Sequence, residues 1–182
     1  MITDNFNIFR ATQCCLLLFV GVSVLPVSES ALAQVDGAVG NRSLLNINVG
    51  VSGIESRISS VHRYGMEFGF KNRFKWNTRP ATGFVTAGDD CNYLYAGLRR
   101  DFYLRDHLAL TAGFDIGFLH NGEQLRLGNE LEFRTLVDLS YVFANDWRAT
   151  IGIHHISNAG LGNTNPGTND VVLSVSLPVA SN

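Results

Sequence analysis

The chain has 182 residues, 46% of them hydrophobic, and a formal net charge of −2. That is one domain's worth of sequence, without the basic excess that a nucleic-acid partner requires. No Cys/His cluster with zinc spacing occurs, so neither a metal nor any other cofactor is expected.

Residues 1–33 read as a secretory signal: Arg10 in the n-region, an apolar core from Cys14 to Val27, and the small-x-small site Ala31-Leu32-Ala33 before Gln34. The apolar core is too short for a membrane helix, which needs about 20 residues. Removing the segment takes away Arg10, Asp4, Glu29, Cys14 and Cys15. Residues 34–182 then form one domain with a net charge near −1 and Cys91 as its single cysteine, so no intramolecular disulfide is expected.

Eight strands follow by period-2 alternation, separated by turn signals. The first spans about Leu44 to Gly53, with Leu45, Ile47, Val49 and Val51 against Asn46, Asn48 and Ser52. The second, His62 to Lys71, sets Tyr64, Met66, Phe68 and Phe70 against Arg63, Glu67 and Lys71. The third runs from Phe74 to Ala87 and is made irregular by Pro80. After Asp89-Asp90 come Cys91 to Tyr103, His107 to Leu119, and Glu130 to Phe143. The seventh begins at Trp147 and ends at His155 and Ser157, and the eighth carries Asn169, Val171, Leu173, Val175 and Leu177 on one face.

In almost every strand one row carries charges or glycine while the other is nearly free of charge. A soluble sandwich turns the charged rows outward; an outer-membrane barrel turns them into its lumen. Strands of about 10 to 14 residues suit a tilted membrane span. Mixed-sign polar rows with small residues suit a filled eight-stranded interior. Aromatic residues gather at strand ends, as interfacial girdles do. The expected fold is therefore all-β, an eight-stranded antiparallel outer-membrane β-barrel. With both termini periplasmic, short turns fall near Asn72, Leu104–Asp106 and Ala144–Asp146. Longer connections near Glu55–Ser60, His120–Gly128 and Asn158–Thr168 fall on the outside.

His155 and Ser157 share a face because they lie two apart on a strand. They end an oily stripe beside a polar loop, where a base and a nucleophile could meet an ester in lipid. Asn169 lies on that same face of the next strand, whereas Asp170 points into the lumen. Lumen-facing Glu132 and Arg134 are expected to form a supporting ion pair, and His154 to be buried with a polar partner.

The run His155-Ile-Ser-Asn-Ala-Gly-Leu161, with Asn165-Pro166-Gly167 after it, resembles the active-site segment of the PagL-type lipid A 3-O-deacylases, also called the acyloxyacyl hydrolase family. Glu132-Phe133-Arg134 and Asn145-Asp146-Trp147-Arg148 fit the same family. The resemblance implies an outer-membrane serine esterase acting at the outer leaflet, with lipid A of lipopolysaccharide as substrate. It makes Ser157 the nucleophile and His155 the base. The family's acid falls at Asn169, which is not an acid; an Asn carbonyl can still orient an imidazole. Asp170 is the alternative acid, if a twist or bulge turns it outward. Asn158, Gly160 and Asn165 are the expected oxyanion and substrate-binding residues. A homodimer stays open, and the rival reading is a catalytically weak or inactive structural barrel.

Overall fold

The computed structural model describes residues 42–54, 60–71 and 74–179. The expected signal segment, the tip of the loop after the first strand and the expected turn at Asn72 lie outside the described residues. Eight antiparallel strands are present: β1 (Ser43–Ile54), β2 (Val61–Gly69), β3 (Arg79–Ala87), β4 (Cys91–Arg105), β5 (Leu108–His120), β6 (Leu131–Val142), β7 (Arg148–Ser157) and β8 (Thr168–Val179). Each pairs with the next, and β8 returns to β1, closing the barrel. Closure pairs the backbone groups that an open sheet edge would leave bare in hydrocarbon.

Side-chain burial is inverted relative to a soluble protein. Ile47, Val49, Met66, Leu94, Phe114, Ile116, Ile151 and Leu173 are exposed, while Arg63, Asp115, Glu132 and Asp170 are fully buried. A sandwich in water would bury the first set and solvate the second. The apolar rows therefore form the lipid-facing wall. Phe74, Trp76, Phe102, Tyr141, Phe143 and Trp147 ring one end, exposed, as an interfacial girdle.

The lumen is filled by ion pairs stacked in tiers. Nearest the termini, Asp101 takes Arg79 and Arg148, at 3.3 and 3.1 Å, and the Thr111 hydroxyl at 2.7 Å. At mid-height, Arg99 and Arg134 are both shared between Glu67 and Asp115, at 2.6 to 3.2 Å. The Arg134 guanidinium also stacks 3.7 Å from the Tyr95 ring centroid. In the upper tier Arg63 pairs with Asp170, and His154 Nε2 lies 2.9 Å from Asp138. Buried charges are tolerated when each has an opposite partner and further hydrogen bonds. Glycines make the room: a Cβ on Gly83, Gly97 or Gly152 would collide with Tyr95, Asp115 or Asp138, respectively.

Two expectations need correction. The third strand starts at Arg79, not Phe74, because Lys75–Asn77 form a short 3-10 turn in which Trp76 and Asn77 take left-handed φ of 62° and 56°. That turn reverses the chain before Pro80, whose carbonyl accepts the Phe70 N–H at 2.9 Å. Glu132 and Arg134 do not pair with each other. Arg134 reaches across to Asp115 and Glu67, and the Tyr93 hydroxyl donates to the Glu132 backbone carbonyl at 3.0 Å.

Candidate active site

The register of the β7–β8 ladder sets His155 directly opposite Asn169. Both point outward, His155 exposed and Asn169 half-buried. Their side chains meet: His155 Nδ1 lies 2.8 Å from Asn169 Oδ1. An amide oxygen can only accept, so this bond holds the imidazole with its proton on Nδ1 and leaves a lone pair on Nε2. Ser157 follows two residues along the same row, half-buried, opposite Phe133 of β6. Its hydroxyl makes no hydrogen bond to any described residue.

Asp170 has the opposite orientation. It is fully buried, bound to Arg63, and accepts the Thr168 hydroxyl at 3.3 Å. Thr168 in turn accepts the Gly53 N–H at 2.8 Å, linking β8 to β1 at the β-bulge between Val51 and Ile54. No twist brings Asp170 to the outer face. His154 is buried as expected, though its partners are Asp138 and, at 3.5 Å, Arg63.

The loop after Ser157 is held by its asparagines. Asn158 is fully buried; its amide donates to the carbonyls of Leu127 (3.0 Å) and Thr164 (2.8 Å), and its Oδ1 accepts the Gly160 N–H (3.0 Å). Asn165 Oδ1 accepts the Asn158 N–H at 3.1 Å. The Asn158 and Gly160 N–H groups, both expected to face an oxyanion, are therefore engaged inside the loop. Among the loop donors that no described residue engages are the Ala159 N–H and the Asn165 side-chain amide, whose oxygen is the bonded end. Ala159 and Gly160 both take left-handed φ, 53° and 82°, which turns this segment sharply as it leaves the strand.

Two contributors were not singled out from sequence. Leu127, in the loop between β5 and β6, supplies the carbonyl that anchors Asn158. Gly167 stands in the sequence only as the end of the Asn165-Pro166-Gly167 run, with no role of its own. Its φ is 63°, and a Cβ there would lie 3.4 Å from His155 Cε1 and 3.7 Å from Ser157 Cβ. It forms the floor beside both side chains.

Comparison with known proteins bears on this arrangement. A family model for lipid A 3-O-deacylase (PagL) matches residues 62–178. The chain belongs to the lipid A 3-O-deacylase family. Membership places it among outer-membrane lipid A deacylases. The matched span covers β2 to β8, and so includes Ser157, His155 and the loop between them and Asn169. The crystal structure of the outer membrane enzyme PagL is similar in fold, with a TM-score of 0.59 and 19% identity, over 75% of this chain and 99% of that one. Neisserial surface protein A is similar at a TM-score of 0.57 and 11% identity, over 75% and 97%. A designed transmembrane β-barrel matches at 0.53 and 9%, over 76% and 96%. At such identities these structures speak for the barrel alone. No curated protein sequence matches the chain.

Proposed function

We propose that this deacylase is a serine esterase that removes the ester-linked 3-hydroxyacyl chain at position 3 of lipid A, working from the outer leaflet. The observation that carries the reading is the cross-strand bond from His155 Nδ1 to Asn169 Oδ1, on the row that also presents Ser157. A serine hydroxyl attacks an ester once an oriented imidazole takes its proton. Here Nε2 is the free basic atom, and the Nδ1 bond fixes both tautomer and ring plane.

In this mechanism His155 Nε2 accepts the Ser157 proton as Oγ bonds to the ester carbonyl carbon. The carbonyl oxygen becomes an oxyanion, and the Ala159 N–H and Asn165 amide are the donors that stabilise it. The tetrahedral adduct collapses and the sugar oxygen leaves, taking the proton from His155. Water, deprotonated by the same imidazole, then releases the acyl chain as a carboxylic acid and restores Ser157. Asn169 only orients; it carries no charge to balance the imidazolium. The hydrogen bond between nucleophile and base, absent in the free enzyme, forms in the substrate complex. The polar edge of the row meets the loops while its lower part meets acyl chains, which suits an amphipathic substrate.

The test is mass spectrometry of lipid A from cells expressing the protein or Ser157→Ala. Loss of one ester-linked hydroxyacyl chain only with the intact serine supports the reading. Full deacylation by Ser157→Ala removes it. A second reading, a weak or inactive structural barrel, draws on the amide that stands opposite His155 in place of an acid. Absence of deacylation from wild type and from an Asn169→Glu variant alike would favour it.

A further inference from the structure

Between the strand ends, the outward rows of the described strands hold one charged residue, Arg100, flanked on its row by Leu98 and Phe102. A charge on the lipid face is costly at depth and nearly free at the interface. Arg100 lies five residues before the end of β4, about 12 Å above it along the membrane normal for a strand tilted by about 45°. The guanidinium lies 4.9 Å from the ring centroid of Phe102, on the side of the strand end. An arginine that snorkels this way carries its charge to the headgroup level.

Among the described residues no carboxylate pairs with it, whereas the lumen arginines Arg63, Arg79, Arg99, Arg134 and Arg148 all have one. Exposed on the lipid face, it is open to a counter-ion from the membrane. The neighbouring strand, β3, is preceded by the turn that bears exposed Lys75, with Nζ 5.2 Å from the centroid of the 70% exposed Trp76. In the β3–β4 ladder Arg79 stands opposite Arg99, so this turn leaves β3 at the register of Arg100.

We propose that Arg100, with Lys75 beside it, binds the phosphodiester of a glycerophospholipid in the periplasmic leaflet, the Phe102 and Trp76 rings lying along the glycerol level. A planar guanidinium matches phosphate oxygens in bidentate fashion, and an interfacial Trp suits the ester region. The site lies at the barrel end opposite Ser157 and has no part in ester cleavage. It rests on the orientation given above, with the active site outermost.

The test uses the full chain in dodecyl maltoside and native mass spectrometry, titrated separately with dioleoyl phosphatidylglycerol, dioleoylglycerol and lipid A. Arg100→Gln should weaken phosphatidylglycerol binding about tenfold, the scale of one lost charge-assisted contact. It should leave dioleoylglycerol binding and the deacylation rate unchanged, and Arg100→Lys, which keeps the charge without the planar fork, should fall between wild type and Arg100→Gln. Raised salt should weaken wild-type binding more than that of the Gln variant. Equal phosphatidylglycerol binding by wild type and Arg100→Gln overturns the proposal, as does an equal loss for dioleoylglycerol. If Arg100→Gln instead weakens lipid A and spares phosphatidylglycerol, the orientation is reversed and the proposal falls with it. An inactive enzyme with the expected binding pattern would refute the esterase alone.

Discussion

Replacing Asn169 by Asp puts a carboxylate where an amide oxygen now lies, 2.8 Å from His155 Nδ1. The two side chains have the same size and shape, so the change alters charge with little steric effect. In the proposed mechanism the imidazole becomes cationic as Ser157 gives up its proton, and the carboxylate would lie about 4 Å from the centre of that charge. Coulomb attraction at that distance is about 1 kcal/mol in water and about 4 kcal/mol at an effective dielectric near 20. His155 is exposed and Asn169 half-buried, which argues for the lower part of that range, about 1.5 to 2 kcal/mol. A gain confined to the charged state lowers the barrier, so kcat should rise about 10- to 30-fold, with little change in KM. The assay is the initial rate of 3-hydroxyacyl release from purified lipopolysaccharide in mixed micelles. Heat-modifiable gel migration reports that the barrel is intact. A rate within twofold of wild type, from a folded variant, would refute the claim that Asn169 orients a base that becomes charged.

Other outcomes follow from the same geometry. Asp170→Ala leaves Arg63 buried without its partner and should lower stability by about 3 to 5 kcal/mol, read as a shift in the urea midpoint in micelles. Gly167→Ala places a methyl group against His155 and Ser157 at a left-handed φ, at a backbone cost of about 1 to 2 kcal/mol; deacylation should fall at least tenfold in a barrel that still migrates as folded. Asn158→Ala removes three hydrogen bonds that organise the loop, each contributing about 1 kcal/mol. Its effect should be a slower reaction and faster protease cleavage within residues 158–167, with the strands resistant.

Much of the fold is legible in the chain because a closed barrel imposes strict alternation, and parity alone separates the outward His155, Ser157 and Asn169 from the inward His154 and Asp170. Parity does not give register. That Asn169 faces His155, and not a residue above or below, follows from the β7–β8 pairing, which the sequence of either strand leaves undetermined. The lumen ion pairs defeat local reading for a related reason. Glu132 and Arg134 lie two apart on one row, yet Arg134 bonds Glu67, far along the chain, across the interior. The bonds inside the loop are not legible in sequence because an asparagine can present its amide outward or cap a neighbouring backbone group. Asn158 does the second, and only the folded loop shows which carbonyls it meets. The start of β3 was hidden by two residues, Trp76 and Asn77, whose left-handed backbone leaves no mark on the hydrophobic pattern.

The tiers of arginine and carboxylate inside the barrel bear on the cell envelope. A cylinder so filled conducts nothing, so a planar bilayer carrying many copies should remain electrically silent under an applied voltage. Such a catalyst can be made abundant in a surface whose purpose is to keep small toxic solutes out, without opening a leak.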